Sequence, residues 1–127
     1  MAAKSVSHTV SMSVGNVALS LTDSTTVTAN PTDYVLGSQT VTTAYEAIAA
    51  GEVDPTSCLV MLLLKNENTT GTSELQVSLD NESSISLVLH NGQTNLISVE
   101  NFGNVKIKSN TGSIDVSYMA IQIGANT

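Results

Sequence analysis

The side chains that could carry out covalent chemistry in this chain are few and far apart in sequence. His8 and His90 are the only imidazoles, and Cys58 is the only thiol. Nucleophilic catalysis requires a Ser, Cys or Thr beside a base that a third group orients. His8 falls on the apolar side of an alternating segment, and His90 precedes Asn91-Gly92, a turn sequence. We therefore expect a packed His8, an exposed His90 and no enzymatic activity.

The single cysteine excludes an internal disulfide and a zinc site built from cysteines. Cys58 begins an apolar run, Cys58-Leu59-Val60-Met61-Leu62-Leu63-Leu64. A buried thiol in such a run behaves as a small hydrophobic side chain. We therefore expect Cys58 to be buried and unreactive.

Two short pairs of carboxylates could act as acid and base or bind Ca²⁺: Glu52 with Asp54, and Asp80 with Glu82. Neither pair has the spacing of a calcium loop. Aromatic residues make up only 3% of the chain, which argues against a sugar-binding cleft beside them. We interpret both pairs as solvated turn residues, and we predict no metal and no cofactor.

The charge of the chain argues against nucleic-acid and membrane partners. It has four lysines, no arginine and 11 carboxylates, for a net charge of −7. Phosphate binding depends on Lys and Arg, so DNA and anionic lipid should both repel this chain. Lys106 and Lys108 share one strand face and are interpreted as solvent-facing. No apolar run approaches the roughly 18 residues of a membrane span, and none follows Lys4 as a secretory signal.

Composition and periodicity together predict an all-β fold. About a quarter of the 127 residues are Ser or Thr, which disfavour helix interiors, while Val, Leu and Ile supply a core. We expect a single β-sandwich or jelly-roll-like domain over residues 1–127, with about seven to nine strands. Residues 44–50 form the only helix-like window, so at most one short helix is expected there.

The N-terminal segment alternates strictly between apolar and polar residues. Val6, Val10 and Met12 lie on its even-numbered face, and the odd-numbered face is Ser and Thr. The phase slips at Gly15-Asn16, which predicts a hairpin over residues 1–21. We expect Val6, Val10 and Met12 to serve in subunit contacts, with the alternative that they fill the protein's own core.

Strand signals recur at regular spacing after residue 58. Leu59 to Lys65 predicts a central strand buried on both faces. His90-Asn91-Gly92 predicts a turn, and Ser109 to Gly112 predicts the loop of a final hairpin.

Residues 59 to 123 resemble a pattern found in small structural proteins of tailed bacteriophages. The matching segments are Leu62-Leu63-Leu64-Lys65-Asn66, Val77-Ser78-Leu79-Asp80, Leu87-Val88-Leu89-His90-Asn91-Gly92, Val105-Lys106-Ile107-Lys108, and Ser109-Asn110-Thr111-Gly112 running into Ile114-Asp115-Val116-Ser117-Tyr118. His90-Asn91-Gly92 stands where the family pattern has a Pro-Gly turn. The resemblance implies a β-sandwich virion component without catalytic residues.

On this resemblance we expect a capsid cement (decoration) protein on the outer surface of a phage head, made in the host cytoplasm. It would bridge neighbouring subunits of the major capsid protein and form a homotrimer suited to three-fold positions of the shell. The alternatives are a neck, tail or host-binding accessory protein of the virion, and a small carbohydrate-binding module. The absence of Trp counts against the module.

Overall fold

A computed structural model describes residues 4–27, 34–51, 53 and 58–125 of the chain. Backbone contacts divide the chain into two compact units, Met1–Pro31 and Thr32–Thr127. Each unit is therefore described by itself.

The first unit is an antiparallel hairpin of β1 (Lys4–Val14) and β2 (Val17–Val27). Its turn lies at Gly15-Asn16, where Gly15 has a φ of +59°. A two-residue hairpin turn of this kind requires positive φ, which glycine adopts without strain. The turn is thus where the change of phase predicted it, but pairing continues to Val27 rather than ending at residue 21.

The second unit contains eight strands and one short 3-10 turn, Phe102–Asn104, among its described residues. The strands are β3 (Tyr34–Val41), β4 (Glu46–Ala47), β5 (Cys58–Asn66), β6 (Leu75–Ser78), β7 (Leu87–Leu89), β8 (Thr94–Val99), β9 (Lys106–Ser109) and β10 (Ile114–Ala125). Every pairing between them is antiparallel. The predicted all-β sandwich is confirmed.

The eight strands form two four-stranded sheets. Sheet I has the order β3-β10-β5-β8, and sheet II has the order β4-β9-β6-β7. The chain thus pairs as a folded ribbon, with β3 on β10, β4 on β9, β5 on β8 and β6 on β7. A ribbon of four such pairs, wound so that its halves fall in two sheets, has the strand order of a jelly roll.

The core lies between the two sheets and draws on alternate residues of each strand. In β5 the buried set is Val60, Leu62 and Leu64, and sheet II contributes residues such as Leu75 and Ile107. β5 lies between β10 and β8, so its predicted central position is confirmed. The prediction that both of its faces are buried is wrong, because Leu63 on the outer face is 37% exposed.

The helix-like window at residues 44–50 forms no helix, in line with the expectation of at most one short helix there. Glu46 pairs with Ile107 and Ala47 pairs with Lys106, which makes this segment a short edge strand of sheet II. The side chain of Gln39 supports it, since its Nε2 donates to Glu46 Oε1 at 2.8 Å and to the Ala47 carbonyl at 3.2 Å. Tertiary hydrogen bonds therefore override a local preference for helix.

The predicted final hairpin is also wrong. β9 belongs to sheet II and β10 belongs to sheet I, so residues 110–113 cross from one sheet to the other. Ser109 Oγ donates to the Thr111 carbonyl at 2.8 Å and holds the start of this crossing. Sequence spacing identified two strands and a turn but not the sheets in which they pair.

Asn66, at the end of β5, is fully buried and joins three segments of the second unit. Its side-chain Nδ2 donates to the Leu89 carbonyl at 3.0 Å, and its Oδ1 accepts from the Asn68 amide at 3.0 Å. Its backbone N–H donates to the Gln93 carbonyl, and its carbonyl accepts from the Gly92 amide. Asn66 thus fixes the predicted turn at residues 90–92 against the end of β5.

Replacing Asn66 with Ala should lower the free energy of unfolding by about 2–4 kcal/mol, because two backbone groups lose a buried partner. Urea denaturation followed by circular dichroism measures the change. Asn101→Ala is the matched control, since Asn101 is exposed and makes no side-chain capping bond. Equal stability of the two variants would contradict this role for Asn66.

Candidate protein interface

The predicted interface residues lie in β1, and the pairing of the hairpin gives their register. Val10 lies opposite Leu21 and Met12 lies opposite Leu19, whereas Val6 lies opposite Thr25. Directly paired residues share a face of an antiparallel ribbon. The side chains of Val6, Val10 and Met12 lie outside what the structure describes, so their role in subunit contacts stays a prediction.

Four other candidates from the sequence lie wholly or partly outside the described part of the structure. Glu52 and Asp54 are not among the described residues, and for Cys58 and His8 only the backbone pairing is described. Among the residues that are described, no group of three or more His, Cys, Asp or Glu could hold a metal ion.

His90 is exposed, as the sequence predicted, and lines a polar cleft with Glu74 and Asn91. Its Nδ1 lies 3.7 Å from Glu74 Oε1. Ser73 also lines the cleft, but its hydroxyl donates to the Thr111 carbonyl at 2.8 Å. Because that proton is directed at a carbonyl oxygen, Ser73 is not arranged as a nucleophile for His90.

Asp80 and Glu82 lie in the loop between β6 and β7, where Asp80 organises the backbone. Asp80 Oδ1 accepts from the Ser84 amide at 2.9 Å and from the Ser78 hydroxyl at 2.8 Å. Its Oδ2 accepts from the Ser84 hydroxyl at 2.6 Å. These hydrogen bonds, that from Ser84 first and that from Ser78 next, hold the pKa of Asp80 below its ordinary value.

Lys106 and Lys108 lie on the same face of β9 and are half-buried rather than fully solvent-facing. Lys108 Nζ lies 4.5 Å from the centre of the Tyr45 ring, a cation–π distance. Tyr45 thus covers part of this small basic spot on sheet II.

The outer face of sheet I carries four of the seven large apolar side chains that are exposed among the described residues. Register places Leu36, Met119, Leu63 and Leu96 in one row across all four strands, and Tyr34, Ile121 and Met61 in the next row. We call these seven residues the apolar belt. Leu36 is 70% exposed, Tyr34 50% and Met119 41%, whereas Met61 is buried at 7%. With strands about 4.8 Å apart, the first row spans about 14 Å.

A polar region borders the belt at one end. The next row of paired residues across the four strands consists of Ser38, Ser117, Lys65 and Thr94. The row after that contains Thr40 and Asp115. Glu67 follows Lys65 at this end, and its backbone N–H donates to the Asp115 carbonyl at 2.9 Å. We call Glu67 and Asp115 the acidic rim. A shallow groove of about 290 Å³ runs from Leu36 and Met119 to Lys65 and Thr94.

Hydroxyl groups hold both carboxylates of the acidic rim in place. Thr40 Oγ1 donates to Asp115 Oδ1 at 2.8 Å, and Ser117 Oγ donates to Glu67 Oε2 at 2.6 Å. The Ser117 hydroxyl and then Lys65, 3.1 Å away, hold the pKa of Glu67 below its ordinary value. The Glu67 carboxylate is therefore charged at neutral pH.

Sequence reasoning did not identify the apolar belt. Its residues come from strands that are distant in the chain, and Leu63 was assigned to a strand buried on both faces. Only the register of β10 against β3 and β5 shows that Leu36, Met119 and Leu63 form one row.

No family model, curated protein or solved structure matches the chain. Among the described residues, no helix is long and apolar enough to cross a membrane. The arguments for function therefore rest on the fold and on these surfaces.

The hydrogen bonds to Asp80 predict a pH effect on the loop between β6 and β7. A carboxylate whose pKa is lowered by folding stabilises the folded state above its unfolded pKa, and this stabilisation is lost as the pH falls through the folded pKa. Ser84→Ala should raise the pKa of Asp80 towards the ordinary value of an aspartate. Carbon-detected NMR titration of the Asp80 carboxyl measures this pKa in the variant and in the unchanged protein.

The matched control is Ser83→Ala, since Ser83 lies in the same loop and its side chain makes no hydrogen bond to Asp80. A pKa of Asp80 that does not change in Ser84→Ala, or that shifts equally in both variants, would contradict this assignment.

Proposed function

We propose that this chain is a non-enzymatic structural protein of a bacteriophage virion, a capsid cement protein that bridges neighbouring major capsid protein subunits on the outside of the head. The observation that carries the proposal is the jelly-roll strand order of residues 34–125, joined to a separate N-terminal hairpin. Viral shells and lectins are among the proteins that use jelly rolls. The step from fold to virion is analogy, supported by the resemblance in sequence.

The hairpin supports a role in assembly. Val10 with Leu21, Met12 with Leu19 and Val14 with Val17 occupy three successive positions on one face. The positions between them, such as Ser11 with Ser20, are small or polar. A lone two-stranded hairpin is marginally stable in water, so a hairpin with one apolar face needs a surface to cover that face. We propose that Val6, Val10 and Met12 lie in the contacts of a homotrimer.

A second candidate function is carbohydrate binding, which the cleft beside His90 favours. Asn91 Nδ2 donates to the Gly71 carbonyl at 2.9 Å, whereas Asn91 Oδ1 is buried without a partner. Glu74, His90 and Asn91 line this cleft together, and carboxylate, imidazole and amide groups are of the kind that form hydrogen bonds with sugar hydroxyls. A glycan array distinguishes the two: reproducible binding that Asn91→Ala abolishes would favour the lectin function, and the cement proposal expects none.

The proposed location is tested by quantitative mass spectrometry of purified phage particles. A cement protein should be present at a copy number comparable to that of the major capsid protein, because it occupies repeated positions on the shell. A handful of copies would indicate the neck or tail instead. Absence from the particles would contradict a virion role altogether.

The proposed trimer is tested by a pair of substitutions on opposite faces of β1. Met12→Asp should convert the trimer to monomers in sedimentation equilibrium, because a carboxylate cannot be buried there without a partner. Ser11→Asp, one residue away on the Ser and Thr face, should leave the trimer intact. Deletion of residues 1–31 should give folded monomers, since among the side chains that the structure describes the buried cluster lies between Val41 and Ala120.

An unchanged oligomeric state in Met12→Asp would contradict the assignment of this face to subunit contacts. Unfolding of the truncated chain, seen by circular dichroism, would instead show that the hairpin completes the core.

A further inference from the structure

The apolar belt is too large and too continuous to be scattered surface hydrophobicity. Single exposed apolar side chains are normal, but contiguous patches on soluble proteins usually mark binding surfaces. Here Leu36, Met119 and Leu63 are exposed side by side on three neighbouring strands. The groove at their edge gives a partner side chain a place to enter.

The charges around the belt restrict what can cover it. Glu67 and Asp115 lie at one end of the face, and Glu100 directly follows β8 at the other end. The one lysine on the described part of this face, Lys65, is already paired with Glu67. An exposed pair of this kind contributes little, so the carboxylate remains attractive to another cation.

A second copy packed belt to belt fits this pattern poorly. A two-fold axis across the strands would bring the Glu67 end of one copy to the Glu100 end of the other, and an axis along the strands would bring the two acidic rims together. Like charges facing each other across an interface are unfavourable, and each copy carries a net charge of −7. Lys106 and Lys108 do not relieve this, because they lie on sheet II.

We propose that the outer face of sheet I docks a segment of another protein that is apolar in its middle and flanked by Lys or Arg. Its apolar side chains cover Leu36, Leu63 and Met119, and its cations meet the acidic rim. The inference deepens the proposed function and rests on it only for the source of the partner, which would be the shell protein.

The docking chemistry is tested with the full-length chain and two synthetic peptides. The probe is an extended peptide of about twelve residues, with Leu and Val in the middle and arginines at both ends, long enough to span the face at about 3.4 Å per residue. The control peptide has glutamates in place of the arginines. NMR titration should show shifts at Leu36, Leu63 and Met119 with the arginine peptide and none with the glutamate peptide.

Uncharged substitutions distinguish binding of the arginine peptide through the apolar belt from its general electrostatic attraction to an acidic protein. Leu36→Gln and Met119→Gln should each weaken binding of the arginine peptide by about tenfold, as expected for a central apolar contact. The matched control is Val88→Gln, because Val88 is similarly exposed at 40% but lies in sheet II. Asp115→Asn should weaken binding and reduce its dependence on salt.

Three results would overturn the proposal: equal binding of both peptides, shifts centred on sheet II, or equal effects of Met119→Gln and Val88→Gln. Dimerisation of the chain alone that Met119→Gln abolishes would also overturn it, because the occupant would then be a second copy. None of these results bears on the copy number in particles, so the virion proposal is judged independently.

Discussion

The pairing of β10 with both β3 and β5 is the interaction on which the rest of the second unit depends. It places Ile114 opposite Val41 and Tyr118 opposite Gly37, across more than half of the chain. The fit is close: a Cβ at Gly37 would lie 2.9 Å from the hydroxyl oxygen of Tyr118, so only glycine leaves room for this buried ring. Because β10 pairs with both strands, β3 and β5 lie on either side of it, and this sets their order in sheet I.

In this arrangement the two faces of sheet I differ in how far they are buried. Its inner face joins the buried cluster, with Leu62, Leu64, Val116 and Ala120 among the fully buried residues. Its outer face has no second layer of secondary structure within residues 34–125, yet it carries Leu36, Leu63 and Met119. The second unit therefore draws its core from one face of sheet I, while Leu36, Leu63 and Met119 on the other face stay exposed.

Much of this fold could be predicted from sequence because strand existence depends on local alternation. The turn at Gly15-Asn16 and the central position of β5 follow from patterns within a few residues. Partner choice is non-local, which is why the loop after Ser109 was assigned to a hairpin. The window at residues 44–50 has good helix formers, but pairing with β9 and the side chain of Gln39 determine its structure.

The same limit explains why the apolar belt could not be predicted. A period of two identifies two faces for each strand, but it does not show which residues of distant strands share a row. Asn66 illustrates this for a buried polar group: its position after an apolar run was visible, but its bonds to Leu89 and Asn68 depend on the turn at residues 90–92.

We propose that the chain acts by binding protein surfaces through the outer face of sheet I. A cryo-electron microscopy map of phage particles that contain the chain is the decisive measurement. We expect Leu36 and Met119 to be covered by a shell subunit, with basic residues of that subunit near Glu67 and Asp115. A map in which Leu36 and Met119 face solvent, while another face contacts the shell, would contradict it.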